Sequence, residues 1–257
     1  MKIFKSFFSI INYKTLIMAA VSIGASYFCI RYQIKAQFPF YLISIAIVFP
    51  IVFSIDSAYK RREHALQFYA DLKGHALSYY LATRDWVSPY APEKKEEIKK
   101  EVIGVFKLIS ENFMKEPKDA KEPEIKIYEA FSKLSKNLED FRALGVSAGE
   151  LSRMHQYTSK MMIAYGIVRN IFFYRTPITL RAYSKIFIYF FPILYGPYSA
   201  STYDDFSYPN MAYIIACLYS IILVSLDNLQ EHLENPFDQV GEDDINFEVE
   251  EMDRIMQ

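Results

Sequence analysis

Between Lys35 and Asp56 the chain carries no charged residue. The stretch Phe38 to Ile55 reads FPFYLISIAIVFPIVFSI, and Asp56 and Lys60-Arg61-Arg62 then end it abruptly. A helix on the surface of a water-soluble domain shows one apolar stripe and keeps a polar face. A run that is apolar on every side and about 18 residues long or more reads as a membrane span. Phe38 to about Ser57 is therefore expected to cross a membrane. Two details inside it ask for an explanation. Pro50 sits near its middle, and Ile45, Phe49 and Phe53 stand four residues apart. That spacing places all three on one helical face.

Three further apolar blocks follow the same logic. They run from about Tyr13 to Ile30, from Ile186 to Tyr203 and from Met211 to Leu226. A bilayer core asks for about 20 residues at 1.5 Å each, and shorter spans are tolerated where neighbouring helices cover them or flanking residues snorkel. Lys2, Lys5 and Lys14 ahead of the first block resemble a signal-peptide start. No small-x-small cleavage site follows, and a second apolar block comes at once, so a retained helix is expected. Basic residues give the orientation. Lys2, Lys5 and Lys14 precede span one, Lys60 to Arg62 follow span two, and Arg181 and Lys185 precede span three. The link between spans three and four, GPYSASTYDDFSYPN, has no lysine or arginine. Both termini and the long middle segment are thus expected in the cytoplasm of a multi-pass protein. The expected divisions are 1–58 (first two spans), 59–183 (cytoplasmic body), 184–228 (last two spans) and 229–257 (acidic tail).

The middle segment reads as helices. Ile98, Val102, Val105, Phe106, Ile109 and Phe113 share one face, and Ile127, Ala130, Phe131, Leu134, Leu138 and Phe141 share another. Pro89 and Pro92 break the helix that runs on from span two. Ser147-Ala148-Gly149-Glu150 has the form of a capping box and predicts a long helix starting there. Pro177 is expected to end or kink that helix. The charge run EKKEEIKKE reads as a solvated helix face.

Signals for chemistry are absent. The net charge of -1 gives no hint of a nucleic-acid partner. Cys29 and Cys217 both lie in apolar blocks and read as small buried hydrophobes, not as a disulfide framework. His64, His75, His155 and His232 fall at no metal-ligand spacing. There is no Walker loop, nucleophile elbow or Cys-x-x-Cys. An enzyme is not expected. The tail crowds Asp238, Glu242, Asp243, Asp244, Asn246, Glu248, Glu250, Glu251 and Asp253 into a short stretch. Oxygen-rich segments of this kind suit calcium, which takes 6 to 8 oxygen ligands. A solvated acidic tail is the plainer alternative.

Two stretches together resemble the bestrophin family of anion channels. Phe53-Ser-Ile-Asp-Ser-Ala-Tyr59-Lys-Arg is similar to the span-two exit of prokaryotic members. Asn235-Pro-Phe, followed by Gly241-Glu-Asp-Asp-Ile-Asn-Phe-Glu248, is similar to the acidic motif of animal members. Thr176-Pro177-Ile178 resembles the proline segment ahead of span three. There are departures. Ser54 stands where the family has arginine, and Arg62-Glu63 replaces an aromatic pair. Asp238-Gln239-Val240 is inserted into the acidic motif, and His232 replaces a glutamine ligand.

The resemblance implies a homopentamer with one central pore whose narrow neck is lined by span two. The matching residues are Ile45, Phe49 and Phe53, with Ile178 as a second constriction flanked by Arg175 and Arg181. It also implies a calcium site involving Asn235, Glu242, Asp243 and Asp244. The bare spacing is compatible with this reading. One stripe per copy becomes stacked rings around an axis, and a narrow apolar ring gates by dewetting. Ordinary helix–helix packing is the competing reading of the stripe. The expectation is an all-α integral membrane protein with four transmembrane helices and a cytoplasmic helical body, assembled around a central pore. Its partners would be copies of itself, membrane lipid, and chloride or similar anions, with no nucleic acid. The rivals are a membrane-anchored scaffold recruiting a cytoplasmic partner and a secondary transporter; Pro192, Gly196 and Pro197 in span three would allow the broken helix a transporter needs, but the sequence shows no ion-binding cluster to go with it.

Overall fold

The computed structural model describes residues 10–115, 119–174, 177–203, 210–237, 244–247 and 249–257. Among the described residues the chain is helical, with no strand. The helices are α1 (Tyr13–Arg31), α2 (Phe40–Ala82), α3 (Glu93–Phe113), α4 (Lys121–Ala143), α5 (Ala148–Phe173), α6 (Ile178–Tyr203), α7 (Met211–Glu234) and α8 (Val249–Ile255). Contacts divide them into two units. One comprises residues 1–60 and 176–234, the other 61–175 and 235–257.

The first unit holds α1, α2 up to Lys60, α6 and α7. Its apolar core joins Met18, Phe40, Ile47, Ile51, Ile188, Phe191, Tyr195, Ala216, Leu223 and Val224. Small and polar residues knit α1 to its neighbours. The Ser22 and Ser220 hydroxyls are buried and 2.5 Å apart, and Asn228 donates to the Ile10 carbonyl at 2.6 Å. In lipid such bonds hold helices together where apolar packing alone does not discriminate. Gly196 lets α6 approach α1 closely. A Cβ there would lie 3.0 Å from the Cys29 sulfur and 3.1 Å from the Ala25 carbonyl oxygen. Ion pairs gather at one end: Arg181–Glu234 at 2.8 Å, Lys14–Glu231 at 3.4 Å and Lys185–Glu231 at 2.5 Å.

Among the described residues, three helical stretches are long and apolar enough to cross a membrane: Tyr13–Arg31, Phe40–Val87 and Met211–Glu234. The expected third span forms as part of α6, which is 26 residues long, but it is not among the three. Pro192, Pro197 and the tyrosines at 189, 195, 198 and 203 lower its mean hydropathy. Tyr195 is nonetheless buried in an aromatic cluster with Phe40, Phe191 and Tyr219.

The second unit is a helical bundle of the rest of α2 with α3, α4, α5 and α8. The apolar faces anticipated from periodicity are its core. Ile98, Val102, Val105, Phe106, Ile109 and Phe113 of α3 are buried, as are Ile127, Phe131, Leu134, Leu138 and Phe141 of α4. Tyr79 is fully buried and donates its hydroxyl to the Leu134 carbonyl at 2.7 Å. Burial pushes that phenol far above its ordinary pKa, so it stays neutral and keeps donating. The α4–α5 turn is set by Gly145, whose φ is +94°. Its N–H bonds the Arg142 carbonyl and the Val146 N–H bonds that of Phe141, a Schellman closure. The predicted capping box then opens α5, with Ser147 and Glu150 bonding each other's backbone N–H.

Candidate functional site

The site is built on α2. On its packed side Ile47, Ile51, Ser54 and Ala58 are buried, three or four residues apart. On the opposite side Ile45, Phe49 and Phe53 are 50%, 54% and 58% exposed. The helix thus commits one face to its own chain and turns the predicted stripe away from it. The Phe49 and Phe53 rings are 5.7 Å apart and tilted by 45°, a geometry favoured by the edge-to-face attraction of aromatic rings. Pro50 lies inside the helix. Its missing N–H leaves the Ala46 carbonyl without the usual intrahelical partner and makes this turn the softest point beside the stripe. Ser54, where the resemblance places arginine, is wholly buried on the packed face. A guanidinium in that position would need a buried partner.

Beyond Phe53 the helix carries an ion pair. Lys60 donates to Asp56 at 2.7 Å, one turn apart, with both side chains largely open to solvent. Arg61 donates instead to the Ile171 carbonyl at 2.6 Å, and Arg62 pairs with Glu63 at 2.6 Å.

Ile178 is the first residue of α6 and is 75% exposed. Of the two arginines expected to flank it, Arg175 lies outside the described residues. Arg181 is paired with Glu234, which is almost fully buried. Its charge is therefore largely spent within the chain.

The acidic tail divides in two. Glu242 and Asp243 lie outside the described residues, as does the inserted Asp238-Gln239-Val240. Asn235 and Asp244 are described, and each has a partner within the chain. Among the described residues no three His, Cys, Asp or Glu side chains are grouped to hold a metal. Asn235 and Asp244 would by themselves supply a minority of calcium's 6 to 8 oxygens. The described part of the tail is not a solvated strand. Phe237, Ile245, Phe247, Met252 and Met256 are buried in the bundle core. The Ile245 N–H bonds the Pro236 carbonyl at 2.7 Å, and Tyr80 donates to the Met256 carbonyl at 2.5 Å. Lys73–Glu251 at 2.7 Å and Lys99–Asp253 at 3.1 Å hold α8 from outside. Acid-rich composition hid these anchors, since five apolar residues scattered among carboxylates show no helical or strand period.

No family model matches the chain and no curated protein matches it in sequence. Solved structures do match. Two substituted forms of a bacterial bestrophin homologue from Klebsiella pneumoniae align with TM-scores of 0.77 and 0.76, at 18% and 16% identity. Each alignment covers 97% of this chain, with 98% and 99% of the other. A structure described as a membrane protein aligns at 0.78 with 16% identity over 95% of this chain and 98% of that one. The agreement spans nearly the whole chain, both the apolar unit and the helical bundle, and it gives this protein the bestrophin fold.

Proposed function

We propose that this protein is an anion channel. In this reading several copies, five by the family resemblance, surround one pore and pass chloride or similar anions down their gradient. The neck is formed by Ile45, Phe49 and Phe53 of α2, and Ile178 forms a second constriction. The observation that carries the reading is the turned-out stripe: a helix of bestrophin fold that presents its three predicted neck residues on the face its own chain leaves uncovered. Stacked apolar rings impose a dewetting barrier, and phenylalanine edges facing the axis favour anions weakly. With the basic segments on the cytoplasmic side, α6 completes a fourth crossing and both termini lie in the cytoplasm. No catalytic step belongs to this reading.

The test is chloride flux from liposomes carrying purified protein. Flux by the natural chain, and faster flux with poorer closure in the Ile45→Ala, Phe49→Ala, Phe53→Ala triple variant, support it. Flux unchanged by the triple variant removes the neck from the mechanism. Calcium binding at Asn235, Glu242, Asp243 and Asp244 is a separate part of the proposal. Titrating calcium while following flux and melting temperature decides it, and no response in either rejects it.

A further inference from the structure

The exposed stripe of α2 does not end at Phe53. At 3.6 residues per turn, Asp56 falls about 20° and Lys60 about 60° round the helix from Ile45. Both lie inside the sector of about 80° that Ile45, Phe49 and Phe53 span. Arg61 and Arg62 fall outside it and are engaged elsewhere, with the Ile171 carbonyl and with Glu63. Lys60 is thus the one basic residue of that run on the stripe. Its side chain is 73% exposed while its ammonium holds Asp56 at 2.7 Å.

We infer that the Asp56–Lys60 pair sets the charge preference of the permeation path, with Lys60 favouring anions and Asp56 offsetting it. The inference rests on the pore reading above. If α2 lines an axis, each copy adds a carboxylate whose residue lies about 5 Å past Phe53 along the helix, with the Lys60 ammonium reaching back one turn to hold it at 2.7 Å. Symmetry turns these into one ring of ion pairs, with the ammonium the more exposed member of each. The carboxylate ring by itself would repel anions leaving the neck. Lys60 neutralises it and, being the more exposed of the two, meets the passing ion first from the solvent side. A unit charge roughly 6 Å from an ion in water changes that ion's occupancy by about threefold. The same charge repeated around a ring acts in the same sense.

The experiment is the chloride-to-sodium permeability ratio, taken from reversal potentials of the full chain in planar bilayers under a sodium chloride gradient. Lys60→Gln is expected to lower the ratio by about threefold or more. Asp56→Asn is expected to raise it, the double variant to return it near the starting value, and Lys60→Arg to preserve it. Both residues are exposed, so an unchanged particle size in detergent checks that the variants fold. An unmoved ratio in both single variants, or a shift in the same direction in both, overturns the inference. If the neck triple variant still alters the current, the pore reading survives that result. Bilayers left silent by the natural chain overturn the pore reading and this inference together.

Discussion

Ile45, Phe49 and Phe53 gain little from their own chain: each leaves about half its surface uncovered, while Ile47 and Ile51 next to them are sealed. That contrast decides how substitutions behave. Alanine at the three stripe positions should leave the melting temperature in detergent nearly unchanged while altering flux. Ile51→Ala should cost about 2–5 kcal/mol, the usual penalty for emptying a core site. Comparable destabilisation by both sets would mean that the stripe packs within the fold. Gly196 gives the opposite kind of test. Leucine there meets the Cys29 sulfur and the Ala25 backbone, and overpacking of this kind costs about 1–3 kcal/mol. A melting curve identical to that of the natural chain would refute the close approach of α1 and α6. The stripe was legible in the sequence because spacing by four fixes a shared face. Which way that face points was not, because it depends on α2's neighbours, which come from chain segments far from it in sequence.

Among whole elements, the α4–α5 hairpin was the easiest to foresee. The signal read from the sequence is local, the capping box at Ser147 and Glu150, and the structure adds the left-handed turn at Gly145 just before it. Ser147→Ala should cost about 1 kcal/mol in chemical denaturation, and no measurable change would show that the cap contributes nothing. The tail was the hardest. Its charges suggested solvation, yet α8 is anchored by Met252 and Met256 and by the Tyr80 hydroxyl. Met252→Asp should destabilise the bundle strongly, since it buries an unpaired carboxylate. Proteolysis of the tail at the same rate in Met252→Asp and the natural chain would argue that it is not docked. The span within α6 was placed by its apolar run. Its prolines and tyrosines keep it below the hydropathy of the other three, so length and composition do not by themselves assign it to the membrane.

Across the whole molecule, charge is segregated from apolar residues along the sequence, and the fold divides into two units, each with its own apolar core. The fold is shared with bacterial bestrophin homologues at 16–18% identity, so the pattern of apolar faces carries it where residue identity has faded. Short motifs pointed the same way because they sit where the chain must leave the apolar region or turn. Assembly was not legible in one copy's residues. A ring needs two different faces of the same chain to fit each other, and no periodicity reports that fit. The account requires that the uncovered face of α2 meet its counterparts around an axis. An electron-microscopic reconstruction of the purified protein in detergent tests this most directly. The account predicts a ring, five-fold by the resemblance, with Ile45, Phe49 and Phe53 of every copy pointing into one central channel. A monomeric particle, or a ring in which those side chains face detergent or a neighbouring helix, would contradict it.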